Sequence, residues 1–178
     1  MAGGTDHEGG YRFASRLLPE AQAPARLARL LATWRGQCDG QAIPPPHLAR
    51  FEPFTFALGY IHLIDVLPEG RFHFRIFGAA TSLPLDLHKR DTADIRPVAF
   101  RDLVEADYGA AAERGEPMLH DVEITGPRRS GLYRRILLPY GEPGRKASLF
   151  VSGIEEEAGV ADVFRDPVFR ADPVVPAA

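Results

Sequence analysis

The sequence contains a single cysteine, Cys38, among its 178 residues, so the chain cannot form an internal disulfide bond. Such sparing use of cysteine fits a reducing compartment. No apolar run approaches the roughly 20 residues that a membrane-spanning helix requires. The first residues also lack the basic region and apolar stretch of a signal peptide. We therefore expect a cytoplasmic protein that has no membrane partner.

The sequence also lacks a large excess of either positive or negative charge. The formal net charge is −3, so no strong field draws the protein towards nucleic acid. Segment 128–135 contains four arginines, but Arg134 and Arg135 would point to opposite faces of a strand. Asp121 and Glu123 on the preceding segment are natural partners for them. We expect solvated strand charges here and no nucleic-acid partner.

Catalytic motifs are missing as well. The sequence has no Walker A loop and no GxGxxG, GxSxG, HExxH or paired CxxC motif. Ser130 and Ser148 have no base placed near them by sequence. No catalytic residue can therefore be assigned, and we expect that the protein is not an enzyme.

Residues 59–78 carry the clearest structural signal, because two apolar-alternating stretches flank Pro68–Gly70. Proline suits the second position of a type I turn, and glycine suits the left-handed position that closes a bulged hairpin. This three-residue loop predicts cross-strand pairs of Leu67 with Arg71, Val66 with Phe72, Ile64 with Phe74 and His62 with Ile76. One face of the hairpin is then formed by Tyr60, His62, Ile64, Val66, Phe72, Phe74 and Ile76. The opposite face is formed by Ile61, Leu63, Asp65, His73, Arg75 and Phe77.

Two helices are predicted from apolar spacing. The first begins at Pro24, ends near Gln37 and has an apolar stripe of Leu27, Leu30, Leu31 and Trp34. The second begins at Pro97, ends near Arg114 and has a stripe of Phe100, Leu103, Val104, Tyr108 and Ala111. Three further strands are predicted at about 118–125, 132–140 and 147–155.

The element order and the local sequence resemble small stand-alone bacterial PAS-like proteins. The matching segments are LLATWRG, IHLIDVLPEGRFHFRIFG, ADIRPVAFRDLVEADYGAAAERGEP, LYRRILLPY and ASLFVSGIEE, between about residues 25 and 156. The resemblance implies an α+β fold with a five-stranded antiparallel sheet in the order 2-1-5-4-3. It also implies a helical crossover on one face and an N-terminal helix. The predicted organisation is a flexible lead at 1–23, the domain at 24–157 with its first helix at 24–37, and a mobile tail at 158–178 that can dock through Phe164 and Phe169.

The resemblance also implies a small ligand pocket between the sheet and the crossover helices. The predicted lining is Tyr60, His62, Ile64, Phe72, Phe74, Ile76, Phe100, Leu103, Val104 and Tyr108. The first helix covers the other face of the sheet or contacts a partner or a second copy of the chain. The predicted interface residues are Leu27, Leu30, Leu31 and Trp34.

Cofactors of PAS-like pockets fit this sequence poorly. A covalent flavin needs a cysteine on the crossover helices, whereas Cys38 precedes the first predicted strand. Haem needs an axial histidine, and residues 97–117 contain none. His62 and His120 would lie three strand steps apart, about 14 Å at ~4.8 Å per strand, which is too far for a shared metal ion. The cofactor is therefore left open, and no metal is expected.

Individual polar residues keep alternative interpretations. His62 is either a core histidine that binds a neighbouring tyrosine or carbonyl, or a polar anchor for a ligand carboxylate or carbonyl. Asp65 opposite His73 is interpreted as an ion pair on the outer face.

The function predicted from these features is a non-enzymatic sensory or regulatory module. It would bind a small molecule between sheet and helices and signal through protein contacts. One alternative is a ligand-free interaction or dimerisation scaffold, because phenylalanines could fill the interior. Another is a small cone-shaped isomerase that uses Asp65 as base and His62 or Tyr60 as donor, which requires Asp65 inside the cavity.

Overall fold

The computed structural model describes residues 8–82, 87–157 and 159–169, which form one antiparallel sheet with helices on both faces. The strands are β1 Arg12–Leu18, β2 Ile61–Val66, β3 Phe72–Ile76, β4 Arg90–Asp91, β5 Met118–Thr125, β6 Ser130–Tyr140 and β7 Leu149–Glu156. The α-helices are α1 Ala25–Gln37, α2 Val98–Arg114 and α3 Val160–Phe164. The sheet has the order β1-β5-β6-β7-β2-β3-β4.

The predicted PAS-like five-stranded sheet is wrong, because the sheet has seven strands. Strand β1 pairs with β5 along its whole length, from Arg12 opposite Thr125 to Leu18 opposite Leu119. It lies within the segment 1–23, where a flexible lead was expected; residues 1–7 lie outside the described part. Strand β4 has only two residues, too few to show a periodicity, and it pairs with β3. Both missed strands depend on partners that are distant in sequence.

The hairpin follows the predicted register only near its loop. Val66 pairs with Phe72 and Ile64 with Phe74, and the Leu67 N–H donates to the Arg71 carbonyl at 2.8 Å. A bulge between Leu63 and Ile64 then places Leu63 opposite Ile76. The predicted pairing of His62 with Ile76 is therefore wrong. A bulge adds one residue to one strand and reverses the faces beyond it, so Ile76 packs on the α1 side of the sheet instead of the α2 side.

Helix α1 covers one face of the sheet. Its predicted stripe is correct, since Leu27, Leu30, Leu31 and Trp34 are all buried. The Trp34 indole N–H donates to the Pro139 carbonyl at 2.8 Å and fixes the helix to β6. Because this stripe is buried within the chain, the prediction that it forms an interface with a partner is wrong.

The other face of the sheet packs against α2 and the C-terminal segment. Helix α2 begins after Pro97 and ends at Gly115, whose φ of 63° is left-handed and favours glycine. Phe164 at the end of α3 and Phe169 in the following turn are buried in the same cluster. Docking through these two phenylalanines was predicted; residues 158 and 170–178 of the predicted tail lie outside the described part. No helix in that part has the length and apolar character needed to cross a membrane.

Candidate functional site

An interior cavity lies between the sheet, helix α2 and the C-terminal turn. Five of the ten predicted pocket residues line it: His62, Phe74, Phe100, Val104 and Tyr108. Its wall also contains aromatic residues that were not predicted, which are Phe77, Tyr133, Phe164 and Phe169. The space open to the centres of water molecules is about 30 Å³. The cavity is therefore small and mostly apolar.

The other five predicted pocket residues lie elsewhere. Ile64 and Phe72 are buried in the cluster beside the cavity, and Leu103 packs against that cluster. The Arg26 guanidinium of α1 lies 3.9 Å from the centre of the Tyr60 ring, so Tyr60 belongs to the opposite side of the sheet. The bulge carries Ile76 to that side as well.

His62 presents one hydrogen-bond donor that has no partner within the described part of the chain. The side chain is 1% exposed, and its Nδ1 accepts the Gly78 N–H at 3.0 Å. Because Nδ1 is the acceptor, the proton of the neutral ring lies on Nε2. This Nε2 is buried and has no hydrogen-bond partner among the described residues. Burial, and then the charge of Arg135, lower the pKa of His62 to about 3, so the ring is neutral at physiological pH.

Arg135 places a charged group against the same cavity. It is 1% exposed, and its Nη2 donates to Asp107 Oδ2 of helix α2. The guanidinium carbon lies 5.0 Å from the centre of the Tyr108 ring, within the range of a cation–π contact. Burial by itself would lower the pKa of Arg135. The opposite effect of its neighbours Tyr133, Tyr108 and Asp107 is larger, so the pKa of Arg135 is raised. Its Nε is buried and has no partner among the described residues.

Asp107 joins α2 to three strands. Besides Arg135 on β6, it accepts a hydrogen bond from the Ser15 hydroxyl of β1 at 2.7 Å. His120 Nε2 of β5 lies 3.7 Å from Asp107 Oδ1. Burial and the charge of Arg135 lower the pKa of His120 to about 4, although Asp107 opposes this. A neutral histidine at this position adds little to the attraction between Asp107 and Arg135.

The polar residues of this face do not form a metal site. His62 on β2 and His120 on β5 are separated by strands β7 and β6, so they cannot share an ion. Within residues 8–82, 87–157 and 159–169, no group of three or more metal-ligating side chains comes together. Ser152 lies opposite His62 on β7, and its hydroxyl is buried without a partner in the same part of the chain.

The ion pair between the buried Arg135 and the partly buried Asp107 was not predicted. Arg135 was interpreted as a solvated strand charge, which is wrong; Arg134 does bind Asp121 at 2.9 Å, as expected. Two signals in the sequence could have identified the pair. Arg135 alternates with its strand neighbours in the same way as the inward residues Tyr133 and Leu137, so it points to the same face. Asp107 lies four residues from both Leu103 and Ala111, so it falls on the apolar stripe of its helix.

Asp65 does not line the cavity. It is opposite His73, as the register predicted, but its carboxylate binds the Arg75 guanidinium, with Nε to Oδ2 at 3.1 Å. His73 Nδ1 instead lies 2.6 Å from Asp91 Oδ1. The isomerase alternative required Asp65 as a base within the cavity, so this geometry does not support it.

No protein-family model, curated protein or solved structure matches this chain. Its resemblance to PAS-like proteins stays a prediction, and the cavity itself is the basis for assigning a function.

Proposed function

We propose that this protein is a regulatory module that binds a small molecule in the cavity between the sheet and helix α2. The supporting observation is a pair of buried donors in a mostly apolar wall, His62 Nε2–H and Arg135 Nε–H, for which the described residues provide no partner. A buried polar group without a partner costs about 1–3 kcal/mol. Folded proteins seldom leave such groups unpaired, and a ligand that accepts from both would remove the cost.

The partly buried carboxylate of Asp107 offers a route from the cavity to the edge of the sheet. Arg135 reaches the cavity and is held by Asp107, which also holds Ser15 on edge strand β1. A ligand that binds Arg135 would alter this arrangement and so bias how β1 and α2 pack. A ligand shifts such an equilibrium only through different affinities for the two states. In this proposal the output is a changed contact with a protein partner or a second copy of the chain.

The ligand-free scaffold is the second candidate. The observation that favours it is the dense aromatic packing around the cavity, where the Phe74 and Phe77 rings lie 5.6 Å apart and Phe72 and Tyr108 lie 5.2 Å apart. In that case ordered water would satisfy His62 and Arg135, since the space exceeds the ~10–15 Å³ that one water requires.

The proposal places the protein in the cytoplasm and includes neither a catalytic step nor a nucleic-acid partner. The single cysteine supports a reducing compartment. The partly exposed Arg134 is paired with Asp121 and Glu157, which supports structural ion pairs instead of phosphate contacts.

Native mass spectrometry of the freshly purified full chain tests this function. We expect the wild type to carry a small non-covalent mass. His62→Asn should lose it, because asparagine can accept the Gly78 N–H at the position of Nδ1 but lacks the Nε2 donor. His47→Asn, a change of the same type outside the cavity, should retain it. Absence of any bound mass, with only water density at His62 and Arg135 in a crystal structure, would support the scaffold instead.

A further inference from the structure

The unpartnered cavity groups are both donors. Gly78 occupies His62 Nδ1, which leaves an N–H on Nε2, and arginine nitrogens only donate. The remaining buried side-chain atoms without a partner in the described part belong to His120, Ser152 and Glu155, none of which lines the cavity. A ligand that satisfies the cavity must therefore present acceptor atoms.

The charge of Arg135 favours an anionic acceptor. Asp107 binds the guanidinium through Nη2, so Nε remains available. The positive charge also reaches His62, because it contributes to the lowered pKa of that ring. Hydrogen bonds from charged donors to anionic acceptors are about twice as strong as neutral ones. A cationic ligand would be repelled at the same position.

The strand order allows His62 and Arg135 to reach one acceptor group. They lie on the same face of β2 and β6 with β7 between them. Leu137 shares the row of His62 and Ser152, and Arg135 is two residues away from it, so the two backbones are about 12 Å apart. Both side chains extend into the cavity from the sheet and so cover part of that distance. A carboxylate has two oxygens and can accept from both.

The size of the cavity limits the rest of the ligand. A space of about 30 Å³ for water centres holds about two waters, or about 60 Å³ of liquid volume. The ligand is therefore limited to a few non-hydrogen atoms. Apart from Arg96, the wall beyond the two donors is mostly apolar, with Phe74, Phe77 and Tyr108 around it, so it suits an alkyl group.

We propose that the ligand is a short-chain monocarboxylate of the size of acetate or propionate. Its oxygens accept from His62 Nε2–H and Arg135 Nε–H, and its alkyl group packs against Phe74 and Phe77. This inference rests on the proposed function, since it names the ligand class for the same cavity.

Titration of the ¹⁵N-labelled full chain at neutral pH with sodium acetate and sodium propionate tests the ligand class. The Arg135 Nε–H and His62 imidazole resonances should shift and saturate, and the melting temperature should rise with each salt. Sodium chloride and propylammonium chloride, which control for ionic strength and for charge sign, should cause neither change. His62→Asn should weaken propionate binding by about tenfold, whereas His47→Asn should leave it unchanged.

Two outcomes separate the ligand class from the proposed function. In the first outcome, propanamide shifts both resonances, His62→Asn removes this effect, and acetate and propionate shift neither resonance. The ligand class is then wrong, but the cavity still binds a small molecule. If none of these compounds shifts either resonance and native mass spectrometry finds no bound mass, both the ligand class and the binding function are overturned.

Discussion

Among single residues, the buried Arg135 and the partly buried Asp107 form an ion pair between sheet and helix α2. The Arg135 side chain is 2% exposed and that of Asp107 is 16% exposed. A buried ion pair need not stabilise a fold relative to apolar residues, but removal of one partner leaves a buried charge without compensation. The two residues therefore depend on each other more than on any single neighbour.

Arg135→Met should destabilise the protein by about 3–5 kcal/mol, because Asp107 would lose its cation. Arg134→Met is the matched control on the partly exposed face and should cost about 1 kcal/mol or less. Urea denaturation measures both. The double variant Arg135→Met with Asp107→Asn should recover part of the loss; a double variant that is no more stable than Arg135→Met would contradict this account of the pair.

Acid should weaken the fold through its two buried histidines. Histidine in the unfolded chain has a pKa of about 6.5, whereas burial and the charge of Arg135 lower the pKa of His62 to about 3 and that of His120 to about 4. Between pH 7 and 5 the unfolded chain takes up protons that the folded chain excludes. Stability is therefore greatest above pH 6.5 and falls as pH decreases, by about 2 kcal/mol per histidine over this range.

Urea denaturation of the wild type and His62→Asn at pH 7 and pH 5 checks the pH effect. The variant should lose about 2 kcal/mol less than the wild type on acidification, since it has one buried histidine fewer. An equal loss in both proteins would show that His62 does not resist protonation in the fold.

Among the elements, helix α1 illustrates how a glycine on a strand positions a helix. A Cβ atom added to Gly153 of β7 would lie 2.3 Å from Leu30 Cδ1 and 3.2 Å from Ile136 Cγ2. Both neighbours are fully buried, so they have little room to move. The absence of a side chain at Gly153 therefore sets how closely α1 approaches the sheet.

Gly153→Ala should destabilise the protein by about 1–3 kcal/mol, because the added methyl group overpacks the contact between α1 and the sheet. Gly36→Ala is a matched control with the opposite expected sign. Gly36 is exposed within α1 and has nothing within 4 Å of the added Cβ, so alanine should stabilise the helix by about 0.5–1 kcal/mol. Thermal and urea denaturation measure both changes; a neutral Gly153→Ala would disprove the close approach.

The elements differ in how far periodicity predicts them. Helix α2 and strand β5 have the predicted bounds to within one residue, because each repeats a local apolar pattern. Strand β1 was missed since its outward residues Arg12 and Arg16 and the preceding glycines resemble a loop. The bulge between Leu63 and Ile64 was missed because extra residues in a strand arise from the packing of both faces, not from a turn motif.

For the whole molecule, one sheet supports two hydrophobic clusters. The cluster under α1 and the cluster under α2 use alternate residues of the same strands β2, β5, β6 and β7. Neither cluster can keep its geometry if the shared strands separate. We therefore expect both sides to unfold together.

Trp34, the sole tryptophan, lies in the cluster under α1 and reports on that side alone. Its fluorescence and the far-ultraviolet circular dichroism of the whole chain should give the same urea midpoint. Gly153→Ala should lower both midpoints equally. A fluorescence transition at lower urea than the circular dichroism transition would instead mean that α1 leaves the sheet independently.

The sequence by itself determined the local elements: the apolar stripes of α1 and α2, the strands around the Pro68–Gly70 loop, and the inward position of His62. These depend on periodicity and turn chemistry, which act over a few residues. Tertiary structure alone decided the edge strands, the bulge that exchanges Ile76 for Phe77 at the cavity, and the pairing of Asp107 with Arg135. Each of these features is set by contacts between residues far apart in the chain. The stability of a strand pairing or of a buried charge depends on which partner the fold places opposite it, and the local sequence does not specify that partner.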